Sequence, residues 1–167
     1  WGDTQQSGLA DLSMLNVNES GYWVQNMTGQ GTELFMQRIR FDMGQGDWLW
    51  WANSNKIVIS NSDFTQGIDD KAGYHGPIQL NGCANFVVRN NNFTYAVDGL
   101  NMNGAHEGVF ENNRIYRDGS ARYPSYLVNH VLILNFAQNV AVTNNLMKVI
   151  NGPAQNSNDG ESIIAEG

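Results

Sequence analysis

The sequence lacks the marks of several common classes. It has one cysteine, which excludes a disulfide framework. Lys and Arg number 9 against 16 Asp and Glu, a net charge of −7 that excludes a strongly basic nucleic-acid-binding surface. No apolar run approaches the roughly 18 residues of a membrane-spanning helix. No Pro- or Ser-rich stretch marks a linker, and no amphipathic helix of about ten residues is evident. A phosphate-cradling glycine motif, a zinc-ligand spacing and a serine nucleophile elbow are likewise missing. Charged residues amount to only 15% of the chain, well below the roughly 25% usual for soluble domains.

Uncharged polarity takes their place, with 23 Asn and 18 Gly. The apolar share, 41%, is too high for disorder and enough for a core in 167 residues. A single domain over residues 1–167 is expected. The chain opens W-G-D-T without an initiator Met, and its end, I-I-A-E-G, reads as a strand stopped midway. It is therefore expected to be a piece of a longer chain with further domains.

An internal repeat organises the sequence. The pattern apolar-x-apolar-x-N-N-x-apolar occurs as I-V-I-S-N-S-D-F ending at Phe64, F-V-V-R-N-N-N-F at Phe93, G-V-F-E-N-N-R-I at Ile115 and V-A-V-T-N-N-L-M at Met147. Weaker copies end at Phe41 and Tyr22. The anchors are 19, 23, 29, 22 and 32 residues apart. A shorter strand signal follows each, ending at Trp51, Leu80, Met102, Leu134 and Ala165. From the end of each short strand to the start of the next long one (Trp51 to Ile57, Leu80 to Phe86, Met102 to Gly108, Leu134 to Val140) the step is always six. Gly108 is the one poor apolar match. The other connection varies, at 10, 16, 9, 19 and 18 residues.

Short alternating strands of this kind cannot bury their apolar sides alone, so they must stack. An antiparallel sandwich is the alternative, but sandwiches do not hold one connection at constant length. Asn suits a tight corner because it tolerates positive φ. When it recurs, at Asn61, Asn90, Asn112 and Asn144, its amides can bond from rung to rung. Arg38 interrupts that series.

These repeats resemble the N-x-apolar-x-apolar-x-N-N-x-F pattern of the right-handed parallel β-helix proteins, the pectate-lyase-like superfold. The resemblance runs from about Val24 onward. It implies an all-β, single-stranded, right-handed parallel β-helix solenoid of about five to six rungs, part of a longer β-helix. That architecture serves pectin and alginate lyases, polygalacturonase-like hydrolases, dextran- and α-1,3-glucan-cleaving enzymes, epimerases and phage tailspikes.

Stacking turns equivalent positions into columns, and one column carries chemistry. The residue two before the first apolar position of each short strand is Asp47, Gly76, Asp98, His130 and Glu161. Asp47 and Asp98 are two rungs apart, about 9.6 Å at a rung spacing of roughly 4.8 Å. An inverting glycosidase needs its acid and base about 6.5 to 9.5 Å apart. The insertion at the Gly76 rung adds Asp69, Asp70, Tyr74 and His75. Packed carboxylates push one pKa up and leave another ionised, so an acid and a base coexist. Polygalacturonase-like hydrolases are similar in placing a lone Asp about 21 residues before an Asp pair, and Asp47 precedes Asp69 and Asp70 by 22 and 23. The dextran and α-1,3-glucan hydrolases resemble this three-Asp set too. The G-H-G and R-I-K motifs of pectin hydrolases are absent, which moves the expected substrate from pectin to a neutral glucan, in keeping with a pI near 4.7.

The expected catalytic residues are thus Asp47, Asp69, Asp70 and Asp98. In D-W-L-W-W, Leu49 and Trp51 point inward by the repeat, leaving Trp48 and Trp50 as outward stacking platforms for sugar rings. With Tyr74, His75, His130 and Glu161 they are the expected substrate-binding residues. Tyr116, Tyr123 and Tyr126 are read as further groove walls in the insertions. No cofactor and no dedicated metal site are expected, and the partner is a polysaccharide, with no nucleic acid and no membrane. A secreted or extracellular protein follows. Single Asp residues at strand starts also cap corner N–H groups, and stacked acids suit calcium. A calcium-dependent lyase using Lys71, Arg117 or Arg122 is therefore one alternative, and a non-catalytic glycan-binding or tailspike-like β-helix another. His106 is read as a corner residue, and Cys83 as a small buried filler. Asn18, Asn26 and Asn92 head N-x-S/T sequons.

Overall fold

Each repeat folds into a rung of three strands rather than two. The structure is a computed structural model that describes residues 6–17, 22–26, 33–43, 47–66, 78–95, 100–118, 132–150 and 163–164. The first rung is β1 (Gln6–Ala10), β2 (Ser13–Val17) and β3 (Tyr22–Asn26), and the second β4 (Glu33–Gln37), β5 (Arg40–Met43) and β6 (Asp47–Ala52). The third is β7 (Asn55–Ser60), β8 (Asp63–Gln66) and β9 (Ile78–Asn81), and the fourth β10 (Ala84–Arg89), β11 (Asn92–Tyr95) and β12 (Leu100–Asn101). The fifth is β13 (His106–Glu111), β14 (Arg114–Asp118) and β15 (Leu132–Ile133), and the sixth β16 (Gln138–Thr143), β17 (Leu146–Ile150) and β18 (Ile163–Ile164). Every third strand pairs in parallel, which makes three six-stranded sheets and a parallel β-helix.

The long strand signal is two strands because the paired-Asn corner bends it. Asp11, Arg38, Asn61, Asn90, Asn112 and Asn144 all take positive φ, between 52° and 56°. The chain therefore turns from the first sheet to the second at one fixed point per rung. Arg38 keeps the corner's conformation and departs only in its side chain, which forms a bidentate pair with Asp11 (2.5 and 2.7 Å). This hydrogen-bonded guanidinium holds the exposed Asp11 carboxyl below its ordinary range.

The amide ladder lies one residue further on than expected. Asn90 reaches Asn61 at only 3.4 Å. The inward series is the buried Ser62, Asn91 and Asn113 and the half-buried Asn145: Asn91 donates to Asn113 Oδ1 and Asn113 to Asn145 Oδ1, both at 3.1 Å. The same amides donate inward to the carbonyls of Ile59, Val88 and Phe110 (3.0, 2.9 and 2.8 Å). The first Asn of each pair supplies the turn and faces solvent. The second satisfies backbone groups that the turn would orphan.

The constant step of six has an equally local cause. It contains two positive-φ residues at fixed offsets: Asn53 and Lys56, Gly82 and Asn85, Gly104 and Glu107, Phe136 and Asn139. Backbone bonds continue from rung to rung around this corner, as in Asn53 N–H to Asn81 C=O and Ala84 N–H to Ser54 C=O, both 2.9 Å. An added residue would break that ladder on both sides.

The interior is built from the expected inward columns. Phe41, Phe64 and Phe93 pair in register, with rings stacked at 5.4 and 5.0 Å between centroids. Ile115 continues their strand position, and Phe110, from the first sheet, takes the next place in the stack at 6.4 Å. Each such pair adds about 0.5 to 1.5 kcal/mol beyond its buried area. The first-rung equivalent of Phe41 is Met14. Tyr22, the anchor expected from the pattern, instead starts β3 opposite Asp47, and the solenoid already includes β1 at Gln6–Ala10, ahead of Val24. His106 is not a corner residue either: it starts β13, paired with Ala84 and Gln138.

Gly108 occupies an inward position and is explained by its neighbour. A Cβ there would lie 2.0 Å from the Phe86 ring, which leans into the place that a side chain would fill. Gly108→Ala is expected to cost about 1 to 3 kcal/mol in urea unfolding, and much less in a Phe86→Leu background, because the two changes share one space.

Cys83 is fully buried at the sheet-three to sheet-one corner, a small filler as expected. Burial pushes its thiol from 9.0 up to about 11. Below pH 9 both folded and unfolded chains keep the thiol protonated. Above it only the unfolded chain ionises, so this thiol lowers stability progressively as pH rises toward 11. At pH 8 a thiol reagent should label the chain only when it unfolds.

Candidate functional site

The expected site sits where chain from the second sheet enters the third, so the third sheet's register determines what meets. That register follows the repeat. Leu49 pairs with Ile78, Trp50 with Gln79 and Trp51 with Leu80. Asn101 pairs with Gln79 and with Ile133, and Ile133 with Ile164. Ile78, Leu80, Leu100 and Met102 are buried in the core. Strand alternation therefore puts the residues between them on the outer face. In backbone register with Gln79 and Asn101 stand Gln25 and Trp50 on one side and Ile133 and Ile164 on the other, a column of positions polar or aromatic through four rungs and aliphatic in the last two.

Asp47 opens β6 and Trp48 follows it, both described by their backbones. The strands β6, β9 and β12 are consecutive in one sheet, so Leu49 and Leu100 are two rungs apart. That is the separation expected for the residues two places ahead of them, Asp47 and Asp98. Asp69, Asp70, Tyr74, His75, Asp98, His130 and Glu161 lie outside the described residues, as do Lys71, Arg122, Tyr123 and Tyr126. In chain order they fall in the stretches leading from the second sheet to the third.

Tyr116 is not in an insertion. It stands in β14 of the second sheet, paired with Thr94 and Lys148, with the Lys148 ammonium 5.3 Å from its ring centre. Among the described residues no three of His, Cys, Asp and Glu come together. The residues that could take a cation, Asp69, Asp70, Asp98 and Glu161, are outside that set.

Gln79 was missed by the sequence reading. It lies on the outer face, yet is only 5% exposed. Asn81 Nδ2 donates to its Oε1 at 3.5 Å, and its Nε2 has no partner among the described residues. A buried donor left unpaired costs about 1 to 3 kcal/mol. The one available signal was its place in I-Q-L, the outer position between two core residues. Its neighbour Asn101 uses Oδ1 to accept the Asn103 N–H at 3.0 Å, which holds the next corner.

A family model, right handed beta helix region, matches residues 20–166. The chain belongs to that family. In this β-helix protein each of the three sheets aligns equivalent positions from rung to rung. No curated protein and no solved structure matches the chain. Family membership gives the fold, and any reaction has to be argued from the residues.

Proposed function

We propose that this β-helix protein is a polysaccharide-degrading glycoside hydrolase, acting outside the cell on an α-glucan or similar neutral polymer with inversion. Asp47 and the Asp69-Asp70 pair are the carboxylate set, with Asp98 as an additional member. In this reading one carboxylic acid protonates the glycosidic oxygen as its bond to the anomeric carbon breaks. A carboxylate takes a proton from the water that attacks that carbon on the opposite face. Trp48, Trp50, Tyr74, His75, His130 and Glu161 hold the sugar chain.

One observation carries the reading: β6 and β12, the strands that Asp47 and Asp98 precede or open, lie two places apart in one parallel sheet. The separation, about 9.6 Å at the usual spacing, suits two carboxylates that must admit a water between them and the substrate. Acids so aligned repel one another unless a proton or a cation intervenes. A bound calcium is thus the competing use of the same residues.

The test is reducing-end release from neutral and acidic polysaccharides, with absorbance near 235 nm followed in parallel and EDTA in half the samples. Reducing ends without new absorbance, indifferent to EDTA, support hydrolysis. Absorbance that EDTA abolishes replaces it with a calcium-dependent lyase. Silence across the panel from folded protein leaves a glycan-binding module.

A further inference from the structure

We infer that Gln79 is a ligand-reading residue, whose Nε2 donates to an uncharged acceptor oxygen of a neutral glycan lying along the Trp50–Gln79–Asn101 column. The inference rests on the proposed glycan-binding use of the third sheet and narrows its substrate class. Three observations support it. First, the side chain is on the outer face of β9, between the buried Ile78 and Leu80, so its amide is not part of the core. Second, it is 5% exposed and its Nε2 is unpaired among the described residues. Third, Oε1 already accepts from Asn81 Nδ2 at 3.5 Å. The end left without a partner is therefore the donor.

The surroundings select the acceptor's charge. The described side chains of β9 and β12 (Ile78, Gln79, Leu80, Asn81, Leu100 and Asn101) carry no formal charge. A uronate carboxylate brought against Gln79 would be desolvated there, and the described side chains of these two strands offer it only neutral donors. A hydroxyl or ring oxygen meets the same donor without that penalty. Trp50, in register beside Gln79, supplies the residue type that stacks on a sugar ring.

The experiment is calorimetric binding of linear α-1,3- and α-1,6-linked glucan oligosaccharides, with oligogalacturonate as the acidic comparator, to the 167-residue chain and its Gln79→Leu variant. Melting temperature and reducing-end release are read on the same samples. Gln79→Leu should weaken glucan binding about tenfold, the scale of one hydrogen bond. It should not lower the melting temperature of the free protein, because it removes an unpaired buried donor. Gln79→Met, unbranched and also lacking the donor, should reproduce both results if the leucine packs poorly. Unchanged glucan affinity in these variants, with Trp50→Ala still weakening it, would overturn the role of Gln79 and leave the hydrolase reading standing. Glucan binding that depends on Gln79 but comes without reducing-end release would do the reverse. Wild-type protein that binds oligogalacturonate and neither glucan, or binds none of the three, would overturn the ligand class.

Discussion

Asp47→Asn and Asp70→Asn should each lower turnover of a cleaved glucan by about 10²- to 10⁴-fold, the contribution of one positioned acid or base, while leaving its binding nearly unchanged. Asn keeps the shape of the carboxyl and its capacity to hydrogen-bond a hydroxyl. It can neither give a proton to the leaving oxygen nor take one from water. Affinity and rate therefore separate, which a structural role for these acids would not produce. Asp63→Asn is the control: Asp63 is exposed in the outer column of the second sheet, paired in register with Arg40 and Asn92, and its loss should leave turnover alone. If both variants turn over at the wild-type rate, these acids are not the catalytic set; if no protein, wild type included, releases reducing ends while Trp48→Ala and Trp50→Ala weaken binding, the protein grips glycans without cleaving them.

The largest loss of stability is expected from Asn113→Ala. Asn113 is 1% exposed. Its Oδ1 accepts the Asn91 N–H (3.0 Å) and Asn91 Nδ2 (3.1 Å). Its Nδ2 donates to the Val88 carbonyl (2.9 Å) and to Asn145 Oδ1 (3.1 Å). Truncation orphans a buried N–H and a buried C=O at the corner joining the first and second sheets. At about 1 to 3 kcal/mol for each such group, urea unfolding should register a loss of about 3 to 5 kcal/mol. Asn112→Ala, one residue earlier, should cost only about 1 to 2 kcal/mol, because its side chain faces solvent and what it supplies is tolerance of a φ of 53°. Equal costs at the two positions would contradict the assignment of the ladder to the second Asn.

The contrast between these neighbours shows what the sequence could and could not reveal. The repeat, its register and the constant corner were legible because they depend on spacing. Trp51, Leu80 and Met102 end their short strands six residues before the next inward position, whatever the rest of the rung contains. Which Asn of each pair builds the ladder was not legible. Both types tolerate a corner, and only the backbone direction after the left-handed residue decides which amide turns inward. Gly108 looked like a fault in the pattern, since its apolar partner, the Phe86 ring, comes from the preceding rung. Tyr22 matched the motif locally, but the first rung uses Met14 at that position, without an Asn pair to mark it.

The site was legible only in part. The sequence alignment put Asp47 and Asp98 two rungs apart, and the strands that follow them have that relation. Gln79 could not be singled out, because a Gln in an outer strand position reads as ordinary surface until its burial and its unpaired donor are seen. Asp69, Asp70, Tyr74 and His75 belong to a variable connection, where no repeat position places a side chain, so spacing could nominate them without arranging them. His130 and Glu161 share the repeat column of Asp47 and Asp98 and lie outside the described residues.

The central claim is that carboxylates at the edge of the third sheet direct water onto an α-glucan. The most direct measurement is the proton spectrum of the first products, recorded before mutarotation. Inversion predicts that β-anomeric reducing ends appear first. α-Anomers appearing first, or the vinylic proton of an unsaturated end, would contradict the account.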